Sequence, residues 1–201
     1  MTEQKPTKKH HHGNLKEALV LYTLSAADRG DLAELSVRKA ARDLGVSPGA
    51  AYRHFPDKDA LIREVAQRGF DALADKFESV VPFESRAQNE GDARSRFHAL
   101  AQGYVDFARD RTDLWRLMFG PLGRATHPAD TRPSTYDWLA KSLDELARFG
   151  VISPPNPEKQ FFAWSAIHGL SDLQSSPAIG MEPGQSPIQQ HCDYIVEALA
   201  K

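Results

Sequence analysis

The sequence lacks the features that mark secreted, membrane-spanning and disulfide-stabilised proteins. Its single cysteine, Cys192, excludes an intrachain disulfide and a metal site built from several cysteines. No apolar run approaches the roughly 20 residues that a helix needs to cross a bilayer. The lysines near the N-terminus are not followed by a hydrophobic stretch, unlike those of a signal peptide. We therefore expect a cytoplasmic protein that does not engage a membrane.

Charge is nearly balanced over the whole chain but unevenly distributed along it. The net charge is −2, and 41% of the 201 residues are hydrophobic, which is too many for a disordered protein. Residues 1–70 hold 12 Lys and Arg against 9 Asp and Glu, a net charge of +3, whereas residues 71–201 hold 13 against 18, a net charge of −5. A weakly basic N-terminal third is typical of a nucleic-acid contact that depends on a few directed side chains.

Residues 34–58 contain signals for two short helices. Ser36 precedes an apolar face of helical spacing and can cap the first helix, which Gly45 ends. Ser47 caps a second helix that has Pro48 at its first position, and Pro56 stops that helix. The apolar residues of the first helix are Val37, Ala40, Ala41 and Leu44. Two short helices joined by a turn that contains glycine are typical of a helix-turn-helix motif.

The second helix presents a polar face that suits a DNA major groove. Ala51 and Phe55 are four residues apart and are predicted to be buried, whereas small residues at the N-terminal end would let the backbone approach a groove closely. Polar and positive side chains follow one turn later. The residues predicted to contact DNA are Ser36, Arg38, Ser47, Gly49, Ala50, Tyr52, Arg53, His54 and Lys58. A small helical hairpin with an exposed polar face that binds nothing is the alternative.

Leu35 to Lys58, with Leu15 to Gly30 before it, resembles the N-terminal domain of TetR-family transcriptional regulators. The matching residues are Ala40-Ala41, Leu44-Gly45-Val46-Ser47, Ala51-Tyr52-Arg53-His54-Phe55 and Lys58-Asp59-Ala60-Leu61. The resemblance implies an all-α fold, in which a three-helix DNA-binding head is joined to a larger helical body that dimerises and holds a small effector. Ala50 departs from the threonine or longer polar residue that the family often has there, so direct base readout at this point is weaker.

We predict three regions, which are a flexible basic arm at residues 1–13, the helix-turn-helix domain at 14–60 and the effector-binding and dimerisation domain at 61–201. His10 to His12 in the arm fit a tag remnant, a metal-binding tract or a segment that contacts DNA, and these alternatives stay open. Asn14 is a plausible cap of the first helix, and Pro157 is expected to break the chain together with Pro154 and Pro155. Outside the helix-turn-helix motif, helices are predicted at residues 14–29, 57–81, 93–110, 134–149, 158–174 and 188–200.

The body combines many aromatic residues with two late apolar helices. Trp164-x-x-x-His168-Gly169 resembles the tryptophan–histidine–glycine motif of one C-terminal domain class among TetR-like regulators. The candidate ligand-binding residues are Tyr104, Phe107, Trp115, Phe119, Trp138, Trp164 and His168. The candidate dimer-interface residues are Phe161, Trp164, Leu173, Ile188, His191 and Ile195. Aromatic residues at helical spacing also fit an ordinary core, so both assignments compete with simple burial.

The sequence offers no convincing catalytic, metal or cofactor site. Gly120-x-x-Gly123 lacks the lysine of a phosphate-binding loop. His168 and Asp172 lie four residues apart on one helix face, but no third metal ligand or substrate-activating partner is evident. We therefore predict a homodimeric regulator that binds palindromic double-stranded DNA and represses transcription until a small hydrophobic effector binds. The alternatives are a helical ligand-binding or interaction protein without sequence-specific DNA binding, and an enzyme using His168 and Asp172.

Overall fold

The computed structural model describes residues 14–123, 133–175 and 187–200. These residues form nine α-helices, one 3₁₀ helix and no strand, which confirms the all-α prediction; the predicted arm lies outside them. The 3₁₀ helix spans Leu32–Glu34. The α-helices are α1 (Leu15–Asp28), α2 (Val37–Asp43), α3 (Pro48–Tyr52), α4 (Lys58–Val80), α5 (Glu90–Asp110), α6 (Thr112–Met118), α7 (Thr135–Arg148), α8 (Pro157–Gln174) and α9 (Ile188–Leu199). In the described part of the chain, none of them is long and apolar enough to span a membrane.

The chain divides into two compact units, residues 1–65 and 66–201. We call them the head and the body. The predicted boundary lay between residues 60 and 61. Helix α4 contributes its first eight residues, Lys58–Val65, to the head and the remainder to the body.

The helix ends of the head follow the capping signals in the sequence. Ser36 Oγ accepts a hydrogen bond from the Lys39 N–H at 3.0 Å, and Ser47 Oγ accepts one from the Ala50 N–H at 3.3 Å. Gly45 has a φ of +70°, which glycine adopts without the strain that a Cβ would add. Both predicted caps and the predicted turn glycine are confirmed. At the start of α1, by contrast, Asn14 makes no side-chain capping hydrogen bond.

A hydrogen-bonded cluster joins α1 to α2 inside the head. The hydroxyl of Tyr22 donates to Asp43 Oδ2 at 2.6 Å, and Lys39 Nζ donates to the same oxygen at 2.8 Å. These bonds, that from Lys39 first, lower the pKa of Asp43 to about 2 from its ordinary value of 3.8. The cluster therefore depends on the ionised form of this carboxyl group.

We expect this cluster to contribute to the acid sensitivity of the head. Because the pKa of Asp43 is lower in the folded state, its stabilising contribution is fully present above about pH 4 and is lost as the pH falls through about 2. The Asp43→Asn variant should therefore lose less stability than the wild type between pH 4 and pH 2. Urea unfolding followed by circular dichroism at several pH values measures this difference. If both proteins lose the same free energy of unfolding between pH 4 and pH 2, Asp43 is not the source of the acid sensitivity.

Helix α5 occupies the centre of the body and packs against α6, α7, α8 and α9. It begins three residues earlier than predicted, because the side chain of Asn89 accepts a hydrogen bond from the Asp92 N–H at 2.9 Å and caps it at Glu90. The interpretation of Pro157 as a chain breaker was wrong. It is the first residue of α8, where its missing N–H costs no hydrogen bond, and Asn156 caps that helix.

Helices α4 and α6 approach each other closely at Gly69. A Cβ atom at this position would lie 2.6 Å from both Cγ and Sδ of Met118 and 3.2 Å from a methyl carbon of Leu114. The absence of a side chain at Gly69 is therefore what allows these two helices to pack at this distance. The ring of Phe70, the next residue, lies 5.3 Å from the ring of Phe119 in an edge-to-face arrangement.

A largely buried ionic network attaches the segment between α4 and α5 to the rest of the body. Arg96 of α5 donates to Glu145 of α7 through Nε at 2.7 Å and through a terminal nitrogen at 3.3 Å. Arg96 also donates to Ser85 Oγ at 2.9 Å, and Glu145 accepts a hydrogen bond from the Ala87 N–H at 3.1 Å. The two charges thus satisfy backbone and side-chain groups of the connecting segment as well as each other.

Candidate DNA-binding surface and ligand cavity

The outer face of α3 carries the side chains predicted to meet DNA. Ala51 is fully buried and Phe55 is 3% exposed, so these two residues anchor the helix to the head. Tyr52, Arg53 and His54 are exposed on the opposite side, with 40% of Tyr52 accessible. The structure therefore brings a phenol, a guanidinium and an imidazole together at the C-terminal end of α3.

The N-terminal end of α3 has no bulky side chain on its exposed surface. Gly49 is exposed, and a Cβ added to it would meet no atom within 4 Å. Its φ is not positive, so neither backbone conformation nor packing within the head requires glycine there. Ala50, half-buried beside it, adds only a methyl group. Glycine is less favourable than alanine in a helix, so the stability of the head gives no reason for a glycine at the second residue of α3.

The remaining predicted DNA contacts surround α3. The Ser36 and Ser47 side-chain oxygens are used as helix caps, but each hydroxyl proton stays able to donate to another acceptor. Arg38 of α2 is exposed. Lys58 at the start of α4 is exposed and donates through Nζ to the Leu32 carbonyl at 3.3 Å. The nine predicted residues thus lie on α2, α3, the caps of these helices and the first turn of α4.

A partly open cavity of about 160 Å³ lies in the body, and the exposed Tyr136 is among the residues that line it. Three of the seven predicted ligand residues line it, namely Tyr104, Phe119 and Trp164. The side chains that line the cavity are those of Phe77, Phe97, Leu100, Ala101, Tyr104, Phe119, Thr135, Tyr136, Leu139, Trp164 and Ile167. The other eight are not among the seven candidates. Aliphatic residues and Thr135 carry no sequence signal of a cavity, and Phe77, Phe97 and Tyr136 have the same helical spacing as ordinary core aromatics.

The other four predicted ligand residues lie outside this lining. Trp115 and Trp138 are 1% and 3% exposed, and the indole N–H of Trp138 donates to the Val81 carbonyl at 3.1 Å. Phe107 is 7% exposed and lies beneath the guanidinium of Arg111. His168 is half-buried against the rings of Phe119 and Trp164, which do line the cavity. None of these four residues is on the cavity lining, and their role as ligand contacts stays a prediction.

The hydroxyl of Tyr104 joins the tryptophan and the histidine of the Trp164-x-x-x-His168-Gly169 motif. Trp164 Nε1 can only donate, and it lies 3.2 Å from Tyr104 Oη; His168 Nδ1 lies 2.9 Å from the same oxygen. With Trp164 donating, all three groups are satisfied if the Tyr104 proton is donated to His168 Nδ1, which places the imidazole proton on Nε2. Both motif side chains therefore hold the same phenol.

Aromatic rings enclose His168 and favour its neutral form. Its ring centroid lies 4.6 Å from that of Phe119, 5.0 Å from that of Trp115 and 5.1 Å from that of Trp164. Burial lowers the pKa of His168, and Asp172 opposes this shift. Burial likewise raises the pKa of Tyr104. These two groups are thus neutral hydrogen-bonding partners at ordinary pH.

The predicted interface residues fall into two sets. Phe161 and Leu173 of α8 are 61% and 49% exposed and offer apolar surface, whereas Trp164 is half-buried. Ile188 and Ile195 are 4% and 2% exposed, so their own chain covers them, and their place at an interface stays a prediction. The half-buried His191 has Nε2 3.1 Å from the Ala166 carbonyl. Tyr194 is 59% exposed on α9 and is not among the predicted interface residues.

His168, the predicted candidate for catalysis, is engaged in a hydrogen bond, and the thiol of Cys192 is unreactive. His168 Nδ1 is bonded to Tyr104, so this nitrogen is not free to act as a base together with Asp172. Cys192 is fully buried, and burial raises the pKa of its thiol to about 12, which suppresses the reactive thiolate.

Known protein families match residues in both the head and the body. A family model described as "Bacterial regulatory proteins, tetR family" matches residues 26–65, and one described as "Tetracyclin repressor-like, C-terminal domain" matches residues 97–199. The nucleoid occlusion factor SlmA of Pasteurella multocida (strain Pm70) is 27% identical over 119 residues, 58% of this chain and 56% of that protein. SlmA of Haemophilus influenzae (strain PittGG) is 31% identical over 103 residues, 50% of this chain and 43% of that protein. The chain spans about half the length of these curated relatives.

Solved structures resemble the chain over nearly its whole length. A protein of unknown function from Rhodococcus sp. RHA1 is 29% identical, with a TM-score of 0.71 over 96% of this chain and 100% of that one. A putative TetR-family transcriptional regulator from Mesorhizobium loti MAFF303099 shares the fold at 21% identity, with a TM-score of 0.62 over 95% of this chain and 97% of that one. The more specific assignment to the tryptophan–histidine–glycine class stays a prediction. The matched models cover residues 26–65 of the head and most of the body, and the chain belongs to the TetR family of bacterial regulatory proteins, with its DNA-binding domain at the N-terminus.

Proposed function

We propose that the protein is a homodimeric repressor that binds a palindromic operator and releases it when a small hydrophobic effector enters the body. The observation that carries the proposal is the exposed polar face of α3, anchored by the buried Ala51 and Phe55 in the head of a TetR-family chain. Such a helix presents its side chains to the base edges of a major groove, while neighbouring groups hold the phosphates.

The exposed residues divide between base readout and phosphate contact. The Arg53 guanidinium can donate two parallel hydrogen bonds to the O6 and N7 atoms of guanine, the commonest specific base contact. Tyr52, His54 and Lys58, with the capping hydroxyl groups, suit phosphate oxygens. The bare N-terminal end of α3 lets its backbone come close to the groove, which explains a glycine that the fold does not need.

A second copy of the chain is the proposed occupant of the exposed apolar surface on α8 and α9. These two helices pack against each other, and they expose Phe161, Leu173 and Tyr194. A two-fold dimer would cover these side chains with their own copies. A palindromic operator requires this symmetry, because each half-site is read by one head.

Effector release requires a ligand that binds the two states of the protein with different affinity. Phe119 lines the cavity and touches Phe70 of α4, and its neighbour Met118 packs onto Gly69 of the same helix. A ligand against Phe119 therefore acts on a wall that rests on α4, whose first turn carries Lys58. By linkage, an effector favouring the form with lower DNA affinity weakens operator binding by the same factor.

Selection of bound duplexes from random-sequence DNA by the purified full-length protein tests the proposal. We expect enrichment of a palindrome that is bound by two protomers and resists nonspecific competitor DNA. Binding that is equal for every duplex would overturn the DNA-binding part. It would leave a helical ligand-binding or interaction protein as the better description.

Gly49 provides a test that separates function from stability. The Gly49→Ala variant should stabilise the head by roughly 0.4–1 kcal/mol, because a compatible alanine reduces the entropy of the unfolded chain. It should nevertheless weaken operator binding, because the methyl group holds α3 away from the groove. Thermal unfolding and operator titration of the same preparation measure both effects.

Gly45→Ala is the matched control, because this glycine has a positive φ and lies outside α3. It should lower stability by about 1 kcal/mol or more, the cost of a left-handed non-glycine residue. If Gly49→Ala leaves operator affinity unchanged, the N-terminal end of α3 does not approach DNA.

A further inference from the structure

The cavity geometry points to the chemical class of the effector, an inference that rests on the proposed function. We propose that the cavity takes an uncharged aromatic molecule of a single ring with few substituent atoms. Size, wall chemistry and the hydrogen bonds already made within the wall each lead to this class.

The volume sets the size of the ligand. The cavity measures about 160 Å³, and an engineered apolar cavity of about 150 Å³ in another protein binds benzene. A second fused ring would have to displace wall side chains such as Ile167 or extend past the exposed Tyr136 out of the apolar space, and either costs part of the contact. One ring with a methyl or similar substituent fits without such rearrangement.

The walls set the polarity and the shape. Phe97, Phe119 and Trp164 present aromatic surfaces, and Leu100 and Ile167 present aliphatic ones. Flat rings gain from edge-to-face and offset contacts with such walls. Among the described residues that line the cavity there is no Asp, Glu, Lys, Arg or His. A charged ligand would lose its hydration there without gaining an opposite charge.

The polar groups of Tyr104 and Trp164 in the cavity wall already form hydrogen bonds within the protein. Trp164 has one donor, and it is bonded to Tyr104 Oη. The Tyr104 proton is accounted for by His168 Nδ1, and the neutral state of His168 keeps a positive imidazolium out of the wall behind Tyr104. Thr135 and the half-exposed Tyr136 add hydroxyl groups at the start of α7. A ligand that needs several hydrogen-bond donors is therefore poorly served, whereas a hydrocarbon ring loses nothing.

Isothermal titration of the purified full-length protein, without DNA, tests the ligand class. The probes are toluene, benzoate, which has the same ring but a charge, and naphthalene, which is uncharged but larger. We expect toluene to bind at least ten times more tightly than either of the other two. Higher or equal affinity for benzoate or naphthalene, or no binding of toluene, would overturn the inference.

A cavity-filling variant locates the binding site. Ala101 is buried on the cavity wall, so Ala101→Leu should lower toluene affinity at least tenfold. Leu139→Phe is the second filling variant, in case Ala101→Leu does not fold as judged by circular dichroism. Ala140→Leu, on α7 but outside the lining, is the control and should keep wild-type affinity. Retained toluene binding in a folded cavity-filled variant would show that the ligand binds elsewhere.

The two proposals fail in distinguishable ways. Selective operator binding by two protomers with no toluene binding removes the ligand class and leaves the DNA-binding function intact. Toluene binding that Ala101→Leu abolishes, without any selective DNA binding, keeps the ligand class and removes the repressor. Toluene that binds in the cavity but does not release the operator keeps the ligand class and removes the effector role.

Discussion

Replacing Arg53 with alanine should lower operator affinity by about 30-fold or more, since a bidentate arginine–guanine contact is worth roughly 1–3 kcal/mol and a dimer makes it twice. Arg53 is exposed on the outer side of α3, where its loss removes no packing from the head. Helical content and dimerisation should be unchanged. Operator titration by fluorescence anisotropy measures the loss, and a selection repeated with the variant should show relaxed preference at one position of each half-site.

Arg94→Ala is the matched control for this experiment. The side chain of Arg94 is 39% exposed and also contributes a guanidinium on a helix, but it belongs to α5 and pairs with Glu90 at 3.0 Å. The Arg94→Ala substitution removes the same charge, but from the body, and should leave operator affinity nearly unchanged. Equal losses in the two variants would mean that Arg53 acts only through net charge. Unfolding of the Arg53→Ala head would mean that the residue is structural.

Replacing Arg96 with alanine should lower the free energy of unfolding of the body by about 3–5 kcal/mol, the usual cost of removing one partner from a buried ion pair. The side chains of Arg96 and Glu145 are only 12% and 8% exposed, so the remaining carboxylate stays largely out of water without its hydrogen-bonded counter-charge, although the charge of Lys141 still acts on it. The hydrogen bonds from Arg96 to Ser85 are lost at the same time, which frees the segment between α4 and α5. Urea unfolding followed by tryptophan fluorescence measures the change.

Two comparisons make this prediction specific. The exposed Arg94–Glu90 pair has the same chemistry on the helix surface, so Arg94→Ala should cost only about 0.3–0.5 kcal/mol. A double variant, Arg96→Met with Glu145→Leu, should be clearly more stable than Arg96→Ala, because it leaves no unpaired buried charge. If the single and double variants were equally unstable, packing and the lost acceptor of the Ala87 N–H, and not the unpaired charge, would account for the loss.

The helices of the head could be predicted from the sequence because their signals are local. Ser36 and Ser47 cap the two helices of the motif, and Gly45 provides the left-handed turn between them, as expected. Each of these effects involves residues within three or four positions, so the chain need not be folded for the signal to be present. The exposed positions of Tyr52 and Arg53 follow from the same short-range periodicity once Ala51 and Phe55 are buried.

In the body the same reasoning predicted that aromatic residues would be internal but not which of them border a cavity. The local pattern predicts an internal position for Trp115, Trp138 and Trp164 alike. Of these three residues, only Trp164 lines the cavity. The cavity walls come from α4, α5, α7, α8 and the end of α6. A cavity forms where helices that are distant in sequence leave space between them. The residue pattern of a single helix carries no information about that space.

The sequence by itself determined the all-α fold, the helix-turn-helix head and the polar face of α3, since capping, turn formation and amphipathic periodicity act over a few residues. Only the tertiary structure decided that Ile188 and Ile195 are covered by their own chain while Phe161 and Leu173 stay exposed. It alone paired Arg96 with Glu145, 49 positions later, and brought Tyr104 between Trp164 and His168. The chemistry of an apolar or charged side chain determines that it is more stable with a partner. The packing of whole helices determines which partner it contacts.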